Sequence, residues 1–470
     1  MNAYDIMALL CKKIRSLNED TQHDLFVEYF KIIKTKDDVV ENDIEFLSKR
    51  DGVLTSFDSL TEYQINRIIE KIENKNSIFW LCLLIYIDDC LPVEENLNRY
   101  CDAQRIKGQN IYFFSHLSKN DAGLLIPNFH PKWQKKESTS LDELNNDLCS
   151  ILKNYLWIDK LDKWNVMNFY SPKWSWKNNN DPYCIVCSPL SNACPFTISP
   201  VSPEENRFFI KYYSDEKQQN IKTCFEKTLK FANEKKASIV FFPELMVSQE
   251  TQNNLAGIID DHWEYEYPRI IYLPSSFINE NGEYYNQTKA LNGSGEEIFT
   301  YNKQHPFQLK ATKVKQSLSN GDEFIFDRYF EAIKRDYNIQ IIHINGIGRI
   351  GLVICADIFD DQIQDILFQK YKINLLLIMS YTLGTNFFIR TIGSAFTYVC
   401  DVVWCNTCAA YENDRGEKIA VEYFSYGHKK HNEHKISRCN MNMEECNGCA
   451  VCVELSLVYD GDAHIQQEFF

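Results

Sequence analysis

Apolar strand-like segments alternate with amphipathic helical segments through most of the second half of this chain. The apolar runs predict strands over residues 183–187, 238–242, 269–273, 284–291, 298–301, 339–344, 348–354, 373–379 and 402–406. Helices are predicted over 360–371 and 387–400, and the Asn-Gly-Ser-Gly sequence at 292–295 predicts a hairpin turn. Strands that alternate with helices, with hairpins inserted, predict a mixed sheet in a layered α/β domain.

The first part of the chain has a different pattern. Residues 1–160 are predicted to be mainly helical, since apolar residues recur there at helical spacing and residues 140–143 (Ser-Leu-Asp-Glu) form a capping box. Residues 171–182 contain two prolines, three consecutive asparagines and no periodicity, which predicts a domain boundary. We therefore expect a mostly helical domain of unknown role over 1–180 and an α/β domain over 181–470 that ends in a segment rich in Cys and His.

Composition narrows the class of protein. The net charge of −15 argues against a general nucleic-acid or anionic-membrane surface. The longest apolar run, 78–87, is shorter than the roughly 20 residues that a membrane-spanning helix needs, and residues 1–20 lack the pattern of a signal peptide. The 17 cysteines are odd in number and mostly scattered, which is not typical of a secreted disulfide framework. We expect a soluble cytoplasmic protein with no membrane or nucleic-acid partner.

Three polar residues stand at the ends of predicted strands. Glu244 follows the apolar run 239–242 and a proline, Lys303 ends the second strand of the hairpin, and Cys355 ends the strand 348–354. The carboxyl ends of strands are where α/β domains place their active sites. Cys355 is expected at a strand-to-helix turn, where the helix dipole favours a thiolate, and Asp357 is expected to cap that helix.

Together the three residues suit the cleavage of an amide or nitrile. A cysteine sulfur attacks the substrate carbon and forms a thioester. Glu244, with a pKa raised by burial, suits the general base that takes the thiol proton and later activates water. Lys303 suits the fixed positive donor that stabilises the developing oxyanion, together with a backbone N–H near Cys355.

The order of the Phe-Pro-Glu, Tyr-x-Lys and Cys-x-Asp segments resembles the nitrilase superfamily of carbon–nitrogen hydrolases. The resemblance covers roughly residues 183–425 and includes Tyr285-Asn286, the turn at 318–322 and the strand at 375–380. It implies a four-layer αββα sandwich, the catalytic triad Glu244, Lys303 and Cys355, and no cofactor for catalysis. It also implies a small-molecule amide or nitrile substrate and a homo-oligomer formed through the helices that flank the Cys355 strand.

One departure from this family's pattern concerns a second glutamate, which catalytic relatives carry between the lysine and the Gly-Asp turn. Residues 304–320 contain no acid but three lysines, Lys310, Lys313 and Lys315. Gln316 could replace the glutamate, the lysines could meet an anionic substrate, or the loop could simply be solvated. The alternative to a hydrolase is a catalytically impaired nitrilase-like scaffold that senses a ligand or assembles, including one in bacterial defence. A glutaminase-like module is a third reading, although residues 1–180 show no GxxxxGK[ST] signature.

The C-terminal segment offers candidate metal ligands. Three histidines (His428, His431, His434) precede four cysteines, Cys439, Cys446, Cys449 and Cys452. Tetrahedral zinc accepts four thiolates, and a Cys-rich run can also hold an iron–sulfur cluster, so the sequence leaves structural zinc, an iron–sulfur cluster and free thiols open. We take the four cysteines as the candidate zinc ligands. The earlier pair Cys184 and Cys187 lies on a predicted strand, where alternation separates the two side chains and favours packing.

Overall fold

The computed structural model describes residues 3–35, 62–90, 104–105, 112–114, 123–128, 152–159, 161, 163–171, 182–191, 193–213, 219–261, 267–311, 325–344, 346–382, 388, 400–410, 418–426, 433–439, 447–456 and 463–470. The helices in these ranges are α1 (Ala3–Arg15), α2 (Glu19–Thr35), α3 (Glu62–Asn74), α4 (Ser77–Cys90), α5 (Gln219–Glu234), α6 (Gln249–Asp261) and α7 (Asp361–Gln364). A 3-10 turn over Cys355–Phe359 precedes α7, and a π-helical segment over Asp365–Lys370 follows it.

The strands fall in two groups along the chain. The first group is β1 (Gln104–Arg105), β2 (Tyr112–Phe114), β3 (Leu124–Pro127), β4 (Tyr155–Ile158), β5 (Asn165–Ser171), β6 (Tyr183–Cys187), β7 (Phe196–Pro200), β8 (Arg207–Tyr212), β9 (Ile239–Phe241), β10 (Ile270–Tyr272), β11 (Ser276–Glu280) and β12 (Glu283–Asn292). The second group is β13 (Glu297–Asn302), β14 (Gln308–Lys310), β15 (Arg328–Glu331), β16 (Asn338–Ile344), β17 (Gly348–Ile354), β18 (Leu375–Ser380), β19 (Cys400–Asn406), β20 (Lys418–Tyr426), β21 (Glu433–Cys439), β22 (Cys449–Leu455) and β23 (His464–Phe469).

Two large mixed sheets organise the described part of the chain. One has nine strands in the order β1-β2-β5-β16-β17-β18-β19-β20-β21. The other has eight, in the order β11-β12-β10-β9-β6-β22-β23 with β13 paired to β12. The central strands β17, β18 and β19 run parallel and are buried along their whole length, as the continuous apolar runs predict. The mixed α/β architecture predicted from the sequence is therefore confirmed.

Side chains that alternate along β6 show how the eight-stranded sheet is covered. Tyr183, Ile185 and Cys187 lie in a core shared with the nine-stranded sheet. Cys184 and Val186 point to the opposite face, into a second core formed with α5 and α6. The alternation follows from the pleat of a strand, and it makes this sheet apolar on both faces. It also confirms that Cys184 and Cys187 are separated.

A small four-stranded sheet, in the order β14-β15-β8-β7, has a core of its own. This core includes Leu245, which directly follows Glu244, and Phe277, which lies on β11. The small sheet therefore packs beside the carboxyl end of β9, where Glu244 is located.

Strand pairing joins residues on the two sides of the segment 171–182, where the sequence predicts a domain boundary. Strand β5 lies just before it and pairs in parallel with β16, from Asn165 opposite Asn338 to Ser171 opposite Ile344. Strand β2 then pairs with β5, and the helices α1 and α4 contribute to the same continuous core as the two large sheets. Without β5, the strand β16 would expose its N–H and C=O groups along one edge. The described residues of the first 180 form four helices and five short strands, with more residues in the helices than in the strands.

Some predicted elements lie outside the described residues. These include the capping box at 140–143 and all but two residues of the helix predicted over 387–400, so the association surface predicted there stays a prediction. Of these two residues, Phe388 packs against Trp404, and Cys400 begins β19. None of the helices in the described ranges combines the length and the apolar character needed to cross a membrane.

We expect Phe169→Ala to destabilise the whole molecule rather than an N-terminal domain alone. Phe169 of β5 is 4% exposed, and its ring lies 4.7 Å from that of Phe299 on β13, so it joins the two large sheets. Truncating a buried phenylalanine costs about 3–5 kcal/mol. Urea unfolding followed by tryptophan fluorescence should show this loss in the main transition. Phe469→Ala is the matched control, because Phe469 is 48% exposed; an early, separate transition in Phe169→Ala would indicate an independent N-terminal domain.

Candidate active site

The three strand-end residues predicted from the sequence lie together. The Nζ atom of Lys303 is 2.7 Å from Oε1 of Glu244, and the thiol of Cys355 lies close enough to the Glu244 side chain to interact with it electrostatically. Glu244 and Lys303 are each 1% exposed and Cys355 is 2% exposed. A base, a cation and a thiol are thus held in one buried cluster.

Each residue is delivered by the end of a strand. Two apolar residues, Phe242 and Pro243, separate the end of β9 from Glu244. The residue after Glu244, Leu245, has a φ of 59°. Lys303 follows β13, and its backbone N–H donates to the carbonyl of Asn286 on β12 at 2.8 Å. Cys355 follows β17 and has a φ of 50°, which is the left-handed region that a cysteine rarely adopts. Such strain is typical of functional sites, where the surrounding structure enforces it.

A fourth residue, Glu331, supplies the second carboxylate that the sequence reading did not find. Its Oε2 atom lies 2.6 Å from Nζ of Lys303, and the residue is 3% exposed. Glu331 ends β15, in the small sheet, so it comes after the Gly-Asp turn rather than before it. In β15 the side chains of Tyr329 and Glu331 are buried and those of Arg328 and Phe330 are exposed, although the residue types Arg-Tyr-Phe-Glu show no alternation that could have predicted this. Of the lysines in the preceding loop, Lys310 is exposed, whereas Lys313, Lys315 and Gln316 lie outside the described residues.

The side chain of Asn286 holds the two carboxylates in place. Its Nδ2 atom donates to Oε1 of Glu244 at 2.8 Å and to Oε1 of Glu331 at 2.9 Å. Its Oδ1 atom accepts from the hydroxyl of Ser275 at 2.7 Å, and that hydroxyl oxygen accepts from the backbone N–H of Leu245 at 2.9 Å. This chain of donors fixes the orientation of the amide, so that its NH₂ group faces both carboxylates.

Backbone N–H groups satisfy the remaining carboxylate oxygens. The N–H of Tyr381 donates to Oε2 of Glu244 at 2.9 Å, and the N–H of Phe307 donates to Oε2 of Glu331 at 3.1 Å. Tyr381 follows β18 and Phe307 precedes β14. Elements from both large sheets and from the small sheet therefore converge on the same two side chains, which makes the site rigid.

Burial and charge set the protonation states. Burial raises the pKa of Glu244, and the nearby Glu331 acts in the same direction, whereas Lys303 opposes the shift. Burial alone would lower the pKa of Lys303, but Glu244 and Glu331 together raise it well above its usual value. The resting state therefore contains an ammonium between two carboxyl groups.

The Cys355 thiol is neutral in this resting state. Burial raises its pKa well above the usual value, and the Glu244 carboxylate raises it further. The expectation of a thiolate stabilised by a helix dipole is therefore wrong. The turn that begins at Cys355 has five residues and 3-10 geometry, so it provides little aligned dipole against the cost of burying a charge.

Asp357 connects β13, the strand that leads to Lys303, to the turn that begins at Cys355. Its side chain caps the turn by accepting from the N–H of Ile354 at 3.1 Å, as predicted. It also accepts from the hydroxyl of Tyr301 at 2.7 Å and from the N–H groups of Gln304 and His305 at 2.8 and 2.7 Å. Burial raises the pKa of this carboxyl to about 6, although the hydrogen bonds act against the shift.

The four C-terminal cysteines are not brought together as the zinc prediction requires. Cys449 and Cys452 lie on the same strand, β22, and their spacing places them on opposite faces. Cys452 lies in the core under α5, whereas the sulfur of Cys449 accepts from Nε2 of Gln467 on β23. Two side chains on opposite faces of a strand cannot bind one ion. Cys446 and the side chain of Cys439 lie outside the described residues.

Comparison with known proteins gives a partial likeness. No protein-family profile and no curated protein matches the chain. Among solved structures, the C. elegans NitFhit protein is 18% identical with a TM-score of 0.35, and the match spans 59% of this chain and 61% of that one, which is less than two thirds of its length. An amidase from Nesterenkonia sp. is 13% identical with a TM-score of 0.33 over 59% of this chain and 92% of that one. Another similar structure, of the Nesterenkonia AN1 amidase, is described as belonging to the nitrilase superfamily.

Replacing Glu331 should change the pH at which Cys355 reacts. The Glu331 charge raises the pKa of Glu244, so Glu331→Gln should lower that pKa and leave Glu244 ionised, and able to accept the thiol proton, at lower pH. Alkylation of Cys355 by iodoacetamide, followed by peptide mass spectrometry across pH, should therefore begin at lower pH in this variant. Glu283→Gln is the control, since Glu283 is exposed and pairs with Lys334. If the acid limb of the alkylation profile stays at the same pH, or moves to higher pH, Glu244 is not the group that accepts the thiol proton under the influence of Glu331.

Replacing Asn286 tests whether its side-chain amide holds the carboxylates of Glu244 and Glu331 in place. Asn286→Asp removes both N–H donors and adds a third buried carboxyl, so we expect a loss of roughly 3 kcal/mol or more. The loss should be larger at pH 8 than at pH 5, because protonation relieves the repulsion. Thermal unfolding at both pH values measures it. Asn281→Asp, at an exposed position with a φ of 55°, should be nearly neutral; equal effects in the two variants would show that Asn286 holds nothing.

Proposed function

We propose that this chain is a cysteine-dependent hydrolase of a non-peptide C–N bond in a small amide or nitrile. The observation that carries the proposal is the buried ammonium of Lys303, held by Glu244 and Glu331, beside a buried thiol that interacts electrostatically with Glu244 and Lys303. The order and type of the three strand-end motifs, which resemble those of the nitrilase superfamily, support the same chemistry.

The first half of the reaction forms a thioester. The Cys355 sulfur attacks the amide carbon while its proton passes to the neighbouring Glu244 carboxylate. The carbonyl oxygen becomes an oxyanion. When the intermediate collapses, Glu244 returns the proton to the departing nitrogen, the C–N bond breaks, and ammonia or an amine leaves. With a nitrile, attack would form a thioimidate instead, which water then converts.

The second half releases the acid. Glu244, now ionised again, takes a proton from water as the oxygen attacks the thioester carbon. The C–S bond then breaks and the thiol recovers a proton from Glu244. Because the thiol is neutral at rest, each turnover depends on proton transfer to Glu244 and not on a standing thiolate.

The two carboxyl groups around Lys303 suit it to the oxyanion. An ammonium has three N–H donors, and Glu244 and Glu331 accept two of them in the described part of the site. The third can donate to the substrate oxygen. Glu331 keeps the lysine charged and fixes its direction, and a preorganised charge of this kind is usually the largest source of transition-state stabilisation.

The alternative, an impaired scaffold, is favoured by the helical N-terminal region and by the absence of a second glutamate before the Gly-Asp turn. Glu331 argues against the second point, because its carboxylate contacts Lys303 at 2.6 Å. An inactive scaffold also has no need to bury three ionisable groups in contact, which costs free energy.

Ammonia release from a panel of small primary amides and nitriles tests the proposal. Cys355→Ser should lower the rate by at least about 10³-fold, since the nucleophile and base act as a unit. Cys194→Ser is the control, because Cys194 is only partly buried and should tolerate the change. Acid quenching during turnover should leave an acyl group on the peptide that contains Cys355. An active Cys355→Ser variant, or an acyl group on another cysteine, would refute the mechanism.

The pH profile gives a further test. Since burial raises the pKa of Glu244 and the ionised form is the base, kcat/KM should fall on the acid side at a pH above the usual range for glutamate. Measuring kcat/KM from pH 4 to 9 would show this limb, whereas a profile that is flat down to the ordinary glutamate pKa would argue against Glu244 as the base.

Two further parts of the proposal concern the setting. The nucleophile has to remain a thiol, which suits a reducing compartment such as the cytoplasm. We also propose that the enzyme is a homo-oligomer, and light scattering at micromolar concentration should give a mass above that of one 55.2 kDa chain.

A further inference from the structure

Three potential metal ligands lie together at the end of the eight-stranded sheet remote from Glu244. They are Cys184 on β6 and Cys452 and Glu454 on β22, and their sulfur and carboxylate oxygen atoms all lie within 4.8 Å of one another. Strands β6 and β9 run parallel, with Cys187 opposite Phe241. Cys184 therefore lies near the amino end of this sheet, and Glu244 lies beyond the carboxyl end.

The strand register explains why these three side chains meet. Cys184 lies directly opposite Glu454 in the antiparallel pair β6 and β22. Cys452 precedes Glu454 by two residues, so the two share a face of β22. The sulfur atoms of Cys184 and Cys452 lie within 4.8 Å of each other. The three ligands thus form a triangle on the face covered by α5, and their backbone is fixed by the sheet.

Ordinary packing accounts for the two cysteines but not for the carboxylate. Buried thiols behave as small apolar groups, and Cys184 and Cys452 are 6% and 0% exposed. A carboxylate placed against two such sulfurs loses part of its hydration without gaining an apolar contact. Glu454 is only partly buried, so the triangle reaches the surface on that side and an ion could enter there.

We propose that Cys184, Cys452 and Glu454 bind a divalent metal ion of the zinc class. Zinc takes thiolates at about 2.3 Å and carboxylate oxygens at about 2.0–2.2 Å, which places neighbouring ligand atoms less than 4.8 Å apart. The fourth position of the tetrahedron would be filled by water. On binding, the two thiol protons pass to the solvent, so that both sulfurs bind as thiolates.

The charges fit this ion. Two thiolates and one carboxylate carry three negative charges, and a divalent cation leaves one. The ammonium of Lys235, at the end of α5, interacts electrostatically with Cys452 and can offset that remaining charge. Lys235 is held nearby by a hydrogen bond of 2.5 Å from its Nζ to Oε1 of Gln466 on β23. Cys452 is the one residue that this site shares with the four cysteines proposed as zinc ligands from the sequence.

The wild-type chain gives the first test. Full-length protein without a metal-binding tag is stripped of metal, loaded with Co²⁺ as a spectroscopic probe, and then with Zn²⁺. We expect close to one ion per chain, a thiolate-to-cobalt charge-transfer band, and a zinc absorption-edge spectrum that fits two sulfurs and two lighter atoms. A chain that binds no ion at micromolar metal, or a disulfide between Cys184 and Cys452 in freshly purified protein, would overturn the proposal.

Variants identify the ligands. Cys184→Ser and Cys452→Ser should each weaken the affinity for Co²⁺ by more than about 100-fold, and Glu454→Gln by at least about tenfold, since even indirect partners of a metal are worth 10–100-fold. Cys187→Ser and Cys449→Ser are the matched controls, because each lies on the same strand as a ligand but on the opposite face. Circular dichroism of the metal-free proteins checks that each variant folds. Metal loss in Cys449→Ser with retention in Cys184→Ser would place the ion elsewhere and refute the site.

Discussion

The buried ammonium of Lys303 between two carboxyl groups is the interaction on which the site depends. Burying one charge costs several kcal/mol, and a buried pair is stable only when its remaining donors and acceptors are satisfied. Glu244 and Glu331 meet this condition through Asn286 and through the backbone N–H groups of Tyr381 and Phe307. The residues come from β12, β15 and the ends of β9, β13 and β18, so the positions of both large sheets and the small sheet are coupled to one cation.

The sequence predicted those parts of the site that local pattern determines. Glu244, Lys303 and Cys355 each follow a run of apolar residues that forms a buried strand, and the order of the motifs carries the family resemblance. Glu331 was missed because its strand, β15, is short and only half apolar, and the acid lies far along the chain from where the resemblance placed it. Its role depends on the small sheet packing beside β9, which no local pattern encodes.

Long-range pairing limits the prediction of the fold in the same way. The prolines, the asparagines and the lack of periodicity at 171–182 predict a boundary, whereas the pairing of β5 with β16 is a contact between residues far apart in the sequence. The alternation rule did work locally: it separated Cys184 from Cys187, and it equally separates Cys449 from Cys452. The thiolate expected at Cys355 was wrong because the strength of a helix dipole depends on helix length, and the turn there is short.

The position of Glu331 on the small sheet has a consequence for how this molecule would lose its site on heating. Proteins open in cooperative units of unequal stability, and we expect a four-stranded sheet with a core cluster of its own to form one such unit. If the small sheet detaches while the two large sheets remain paired, Lys303 keeps Glu244 but loses its second carboxylate. This partial opening costs less free energy than complete unfolding. On heating, the protein would therefore lose activity before it denatures.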